Sequence, residues 1–323
     1  MCDIWKIRDR KEINVLELQS LCESFRDLGV NWVVLTGGEP QLHSDFRSVT
    51  RALKSRDIRV TLLTAGLLLS REAELVAQNV DDVIVSLDGP AVVHDRIRRV
   101  QGAYDQIQNG ILELRKVRAN LMVRARCTIQ SANHNVMCDT VKAAKQAGFD
   151  SISFLAADLT STAFNREKGW SITQQSRVAL TIPEVTTLEE EIEHVIDSHS
   201  EDLTSGFIVE TPAKLRKIAK HFRAHLGETS HVAPRCNAPW VSAVVDSNGD
   251  VRPCFFHPPY GNLHEQGLSK ILNSAKAVHF RSTLDIETNP TCQRCVCSLH
   301  LRDLGAGANL DAPSQTNFAG LRS

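Results

Sequence analysis

Several things are missing from this 323-residue chain. Neither sign of charge is in excess: 37 Lys and Arg stand against 38 Asp and Glu, a formal net charge of −1. That balance removes any bulk electrostatic reason to expect nucleic acid or an anionic membrane as partner. No apolar run approaches the ~20 residues that cross a bilayer. No charged start followed by a short apolar stretch reads as a secretory signal, although a missing N-terminus would hide one. Low-complexity sequence is confined to 305–323, rich in Gly, Ala, Asn and Ser, which reads as a mobile tail. With 42% hydrophobic residues, a cytoplasmic protein with one main domain and a smaller one is expected.

Cysteine is not scarce. There are nine: Cys2, Cys22, Cys127, Cys138, Cys236, Cys254, Cys292, Cys295 and Cys297. The count is odd and five fall between 236 and 297, a poor disulfide framework for a chain of this size. Clustered thiols of this kind point to metal.

From about residue 14 to 155 helical and strand patterns alternate. Helices are expected over Val15–Leu28, Phe46–Lys54, Arg71–Gln78, Tyr104–Val117 and Val136–Ala147. Strands are expected over Asn31–Leu35, Ile58–Leu63, Asp82–Leu87, Leu121–Ile129 and Ser151–Leu155. Short connections and β-branched strands give five βα-type repeats of a parallel α/β protein. The breaks with unusual residues follow strands, where such folds bind ligands. No strand precedes the first helix, so the sheet is expected either to be one strand short or to have lost its first strand. Residues 157–232 break the period. Thr160–Trp170 reads as a loop, Thr187–His199 and Pro212–Leu226 as amphipathic connecting helices with solvated charged faces.

Two segments carry chemistry. Leu35-Thr36-Gly37-Gly38-Glu39-Pro40 ends a strand in two glycines, which let backbone amides approach a ligand; Glu39 offers a carboxylate to a cation and Pro40 stiffens the turn. The alternative for this segment alone is a tight turn with a surface acid. In the second, Cys236 and Cys254 flank an expected hairpin: strand Trp240–Asp246, turn Ser247-Asn248-Gly249-Asp250, return at Val251. Cys292-Gln293-Arg294-Cys295 adds a Cys-x-x-Cys knuckle. Four thiolates suit tetrahedral zinc or a [4Fe–4S] cluster, and spacing does not choose. His257, His264, His279 and His300 are candidate ligands, with packing or surface roles as the alternative. Cys22, Cys127 and Cys138 lie in expected helices or strands and read as small buried hydrophobes.

Met1-Cys2-Asp3-Ile4-Trp5 resembles the end of the radical S-adenosylmethionine (SAM) signature, Cys-x-x-x-Cys-x-x-Cys, and Gly37-Gly38-Glu39-Pro40 resembles that family's second motif. The resemblance implies a [4Fe–4S] cluster on three cysteines, Cys2 being the third, whose open iron is chelated by SAM and whose reduction yields a 5′-deoxyadenosyl radical. It places the SAM amino group by Gly37, Gly38, Glu39 and Pro40, and further SAM contacts at Ser86, Arg126, Asn133 and Leu155. The run Cys236-x(12)-Gly249-x(4)-Cys254, then Gly261-Asn262-Leu263, Phe280-Arg281 and Cys292-x-x-Cys295, resembles the SPASM/twitch extension. That implies one auxiliary [4Fe–4S] cluster on Cys236, Cys254, Cys292 and Cys295, since Cys297 alone is too few for a second.

The expected fold is thus an incomplete (β/α)6 barrel without its first strand (1–156), a helical linker or specificity segment (157–232), a twitch-like hairpin-and-helix module (233–302) and a tail (303–323). The expected partners are a peptide or small-molecule substrate and an electron donor such as flavodoxin or ferredoxin, with no nucleic acid and no membrane. Cys2 without its two companions is expected to mark an N-terminal truncation that leaves the catalytic cluster incomplete. The competing reading is a non-catalytic α/β protein stabilised by zinc at the four later cysteines.

Overall fold

Residues 3–6, 11–166 and 168–301 are described by the computed structural model. Cys2 and the segment 303–323 therefore lie outside the described residues. Apolar residues at helical spacing put Leu18, Leu21 and Cys22 on the buried side of α1 (Val15–Asp27), which Asn14 starts with a capping box to Glu17. The chain then alternates: β1 (Trp32–Leu35), α2 (Phe46–Lys54), β2 (Arg59–Thr64), α3 (Ala73–Asn79), β3 (Asp82–Ser86), α4 (Ala91–Arg98), α5 (Ala103–Val117), β4 (Met122–Ile129), α6 (Met137–Gln146) and β5 (Ser151–Ala156). The strands form one parallel sheet in the order β1-β2-β3-β4-β5. All five expected strands and helices exist with ends shifted by a residue or two. The short helix α4 was not expected; Pro90 sits at its N-cap and Arg99, at φ 57°, ends it.

Register divides the sheet into two unlike faces. On one, Val60, Leu62, Val83, Val85, Val123, Ala125, Cys127 and Ile152 are at most 1% exposed under the helices. Full burial of each larger aliphatic contributes about 1.5–3 kcal/mol. The other face carries Trp32, Arg59, Thr61, Asp82, Ser86, Arg124, Arg126, Ser153 and Leu155, aligned by the pairs Trp32↔Arg59, Thr61↔Asp82, Ser86↔Arg126 and Arg126↔Ser153. Strands with both faces uniformly buried, as their β-branched runs suggest, are not what forms. One face is a polar lumen.

Helices α7 (Ile172–Gln175), α8 (Ile182–Ser198), α9 (Ser200–Ser205) and α10 (Pro212–His225) follow. α8 begins five residues before its expected start, where Thr181 and Glu184 form a capping box and Pro183 occupies the first turn. Val185, Leu188, Ile192 and Val195 on α8, and Leu215, Ile218, Ala219 and Phe222 on α10, belong to the same core as the sheet. The segment expected to be a linker is thus built into the barrel's own packing. Between α9 and α10 the chain lies along the free edge of β5: Ile208 bridges Ile152 in parallel, and Ile152 N–H donates to Phe207 O at 2.7 Å.

The C-terminal module holds α11 (Ala238–Val241), β6 (Val244–Val245), β7 (Asp250–Arg252), β8 (Gly261–Asn262), α12 (Leu268–Leu272), α13 (Ala275–Thr283) and α14 (Pro290–Gln293). The expected strand over Trp240–Asp246 is corrected. Pro239 in a first helical turn sets Trp240 in α11, and only Val244 and Val245 pair with β7. The hairpin gains a third strand, β8, and its turn needs Gly249 at φ +85°, where a Cβ would lie 2.8 Å from Asn262 Oδ1. A second small core joins Val251, Tyr260, Leu268, Ile271 and Ala277 to Leu21, so the module packs on α1.

Candidate active site and cysteine pocket

At the C-terminal end of β1, Gly37 adopts φ +143° with open space where a side chain would stand, a conformation that favours glycine. A Cβ on Gly38 would meet Ile4 Cγ2 at 3.7 Å. The two-glycine turn and the segment following Cys2 are therefore neighbours, although 33 residues separate Gly37 from Ile4 along the chain. Glu39 accepts three hydrogen bonds from its own surroundings. Thr64 Oγ1 donates to its carboxylate at 2.9 Å, Ala65 N–H donates to Oε2 at 2.9 Å, and Gln41 N–H donates to Oε1 at 3.3 Å. These bonds bolt the end of β1 to the end of β2 through the carboxylate. Beside it Gln41, 5% exposed, has its Nε2 without a hydrogen-bond partner among the described residues. A buried unpaired amide at a strand end is a donor in search of an acceptor.

Ser86, Arg126 and Leu155 all lie on the lumen face, with Ser86 and Arg126 directly paired and Leu155 opposite Thr128. Asn133 is not among them. Its amide donates to Asp88 O at 2.8 Å and Thr128 O at 3.1 Å, and its Oδ1 accepts Gln130 N–H at 2.8 Å. Those bonds make it the fastener of the turn after β4. Deeper in the lumen Asp82, 1% exposed, accepts from Thr61, Arg59 and Arg124, which neutralises it among two guanidiniums.

Glu210 was not singled out by the sequence. Its Oε2 accepts Phe154 N–H at 2.9 Å, standing in for the carbonyl of the strand that β5 lacks on that side. Burial pushes its carboxyl up to about 7, opposed by that bond and by the Arg126 guanidinium. The only hint was the apolar Phe207-Ile208-Val209 run before the Thr211-Pro212 helix start. His221 was also missed; burial and its neighbours His231 and His225 hold it down to about 4.

The C-terminal thiols converge. Cys236, Cys254, Cys292, Cys295 and Cys297 line one pocket, closed by apolar groups that include Pro234, Phe256 and Ile286. Cys254 accepts the backbone N–H groups of Phe256 and His257; burial still raises it. Burial and the nearby thiols push Cys292 up to about 11 and Cys295 higher still. Four thiols that oppose each other's ionisation suit a cationic centre that binds them as thiolates. His257, 7% exposed, places Nε2 at 3.4 Å from Cys292 Sγ and its ring edge-on to Phe280. It faces the pocket, unlike exposed His264 and His279. Among the described residues no three of these sulfurs lie within 4.8 Å of one another. The pocket's four thiols suit either tetrahedral zinc or a [4Fe–4S] cluster by donor chemistry. Cys22, Cys127 and Cys138 are buried in the barrel core, away from this pocket.

The fold and the two sites define a class: a parallel α/β barrel that places a glycine turn beside a cysteine-bearing loop, with a cysteine-lined module at its C-terminus. Residues 1–129 match the Radical SAM superfamily profile, and residues 236–296 match SPASM, the iron-sulfur cluster-binding domain. Among curated relatives, the AdoMet-dependent heme synthases of Nitratidesulfovibrio vulgaris (28% identical over 140 residues) and Methanosarcina barkeri (31% over 140) each align with 42% of this chain. Those alignments span only 38% and 40% of the relatives' own lengths. The pre-heme d1 synthase of Dinoroseobacter shibae is 26% identical over 270 residues, 77% of this chain and 63% of the relative. The fold is shared with native anSMEcpe with bound AdoMet (TM-score 0.63, 18% identity, 91% of this chain and 82% of that one). It is also shared with Streptococcus suis SuiB bound to its precursor peptide SuiA (TM-score 0.59, 16% identity, 92% and 68%). The chain belongs to the radical SAM superfamily and carries a SPASM-type module, and these domains imply SAM and [4Fe–4S] clusters as cofactors.

Proposed function

We propose that this chain serves a radical SAM reaction on a small-molecule or peptide substrate, with one auxiliary [4Fe–4S] cluster in the C-terminal pocket. The convergence of Cys236, Cys254, Cys292 and Cys295 on one pocket, within the stretch that matches the iron-sulfur cluster-binding domain, carries the auxiliary assignment. When bound, a reduced cluster and SAM supply a hydrogen-abstracting radical. The chain's own residues do the rest. Gly37 and Gly38 leave the space that the SAM amino group and its cluster would use beside the Cys2 loop, with Glu39 holding that turn rigid through Thr64 and Ala65. Ser86, Arg126 and Leu155 line the lumen where the rest of SAM would lie; Arg126 suits a carboxylate. Gln41 Nε2 supplies a further donor at the same strand ends. A ferredoxin- or flavodoxin-like protein fits the need for a one-electron donor. SuiB, which shares the fold, is bound to its precursor peptide, and heme synthases are among the sequence relatives, which supports a peptide or a small molecule as substrate.

The test is anaerobic reconstitution with iron and sulfide, followed by metal analysis, absorbance and assay of 5′-deoxyadenosine from SAM under dithionite. The assay uses the chain together with a form extended by a Cys-x-x-x-Cys-x-x segment fused ahead of Cys2. A brown chromophore with about four irons bound by the C-terminal cysteines, lost in Cys254→Ala, is expected. Stoichiometric zinc without a chromophore would sink the cluster assignment and favour a purely structural module. No 5′-deoxyadenosine from the extended form would sink the catalytic one.

A further inference from the structure

The segment after β5 touches the residue that follows Cys2 and the two that follow Cys254. Asp3, next to Cys2 in the chain, is held through each of its polar groups. Its N–H donates to Phe164 O at 3.0 Å, its carbonyl accepts Asn165 Nδ2 at 3.0 Å, and its Oδ2 accepts Trp170 Nε1 at 3.0 Å. At the other side, the Phe164 ring packs against Phe255 at 5.6 Å and edge-on to Phe256 at 5.9 Å. Those two residues follow Cys254 directly, and the Phe256 N–H donates to the Cys254 sulfur.

Arg166 holds the segment in shape. It is 3% exposed, and its guanidinium lies over the Trp170 ring at 4.6 Å and the Phe164 ring at 5.6 Å. It pairs with the Asp158 carboxylate, bonds Asp158 O at 3.0 Å and bonds Ala163 O at 2.9 Å. Asp158 in turn follows Ala157, whose N–H donates to Ile129 O at 2.9 Å. The hub is thereby tied to the sheet. Phe164 and Asn165 are both left-handed, at φ +59° and +63°. Asn tolerates this; Phe does so at a cost, and it turns the carbonyl to Asp3 while the ring meets Phe255 and Phe256. Backbone strain retained in a segment joining two sites is an observation that points to a role.

We propose that residues 158–166 and 168–170 form a strap that fixes the segment after Cys2 relative to the segment after Cys254, with Phe164 and Trp170 as positioning residues for those two segments. This rests on the reading of the C-terminal thiols as an iron–sulfur site. Filling one site then stiffens the other through contiguous contacts, and the distance over which an electron would pass between the two loops is held constant.

The test is hydrogen exchange by mass spectrometry on the full chain, metal-free and anaerobically reconstituted with iron and sulfide. Peptides covering 3–6 and 250–258 are followed, with iron content measured in parallel. Iron loading is expected to slow exchange at 3–6 several-fold as well as at 250–258. Phe164→Ala should keep its iron yet lose the slowing at 3–6, and Phe164→Tyr, which keeps the ring, should retain it. Trp170→Phe, which keeps the ring and loses the donor, should speed exchange at 3–6 with 250–258 unchanged. Iron uptake without any change at 3–6, or Phe164→Ala transmitting as well as the parent, overturns the strap. Absence of iron uptake overturns the cluster reading, and the strap as stated falls with it.

Discussion

Glu210 accepts a backbone N–H from the edge strand, yet burial keeps its carboxyl partly protonated near neutrality, at about 7. The unfolded chain loses that proton near 4.5 and the native chain near 7. The stability it confers is therefore complete below about 4.5 and lost as pH rises through 7. Glu210→Gln keeps an acceptor for Phe154 N–H without the charge. It should raise stability at pH 8 by about 2 kcal/mol and flatten the pH 5–8 slope, as read by urea melts. His257 offers a second residue-scale prediction. Its imidazole meets the Cys292 sulfur at 3.4 Å, and hydrogen bonds to cluster sulfurs raise reduction potentials. His257→Phe should lower the potential of the reconstituted auxiliary cluster in a redox titration while leaving its iron content intact.

The C-terminal module shows what its elements demand. Its three strands contribute only two, three and two residues, so little ladder holds them; the turn at Gly249 and the small core behind Val251 do. Gly249→Ala would need both φ +85° and room that Asn262 Oδ1 and the His264 ring already occupy. It should cut iron uptake by at least half after reconstitution, with the circular dichroism of the α/β barrel unchanged. In the barrel, the Glu39 bolt between the ends of β1 and β2 is the corresponding element-scale device. Glu39→Gln turns an N–H₂ toward Ala65 N–H or Thr64 and should weaken SAM binding at least tenfold by calorimetry, with little change in melting temperature.

For the molecule as a whole, pH acts in two directions. His94 is fully buried with its Nδ1 accepting Asp88 N–H, and burial holds it down to about 4, as it does His221. Unfolded histidines take up protons near 6.5 and these native ones only near 4, so stability falls as pH drops from 6.5 toward 4. Glu210 opposes this only in part. Denaturation midpoints measured from pH 7 to 4.5 should therefore decrease, and His221→Gln should recover part of the loss. The packing of α8 and α10 into the core of the sheet joins them to one buried cluster, with the cysteine module leaning on α1 through Leu21.

The cysteine spacing, the glycine turn and the βα period were legible in the chain, because each depends on local chemistry: metal ligands need thiols at fixed spacing, and buried helices and strands need their own apolar periods. The family and the five parallel strands followed from these. Pairings across long separations were not legible. Nothing local told that Glu39 would spend its carboxylate on Thr64 and Ala65, that Asn133 would fasten a turn, or that Glu210 would serve the edge of β5. Each of those groups is polar and takes whichever partner the packed chain brings within 3 Å, so its role is settled by topology and desolvation rather than by its neighbours in sequence. The strap from Asp3 to Phe255 is the extreme case, joining three segments more than 80 residues apart.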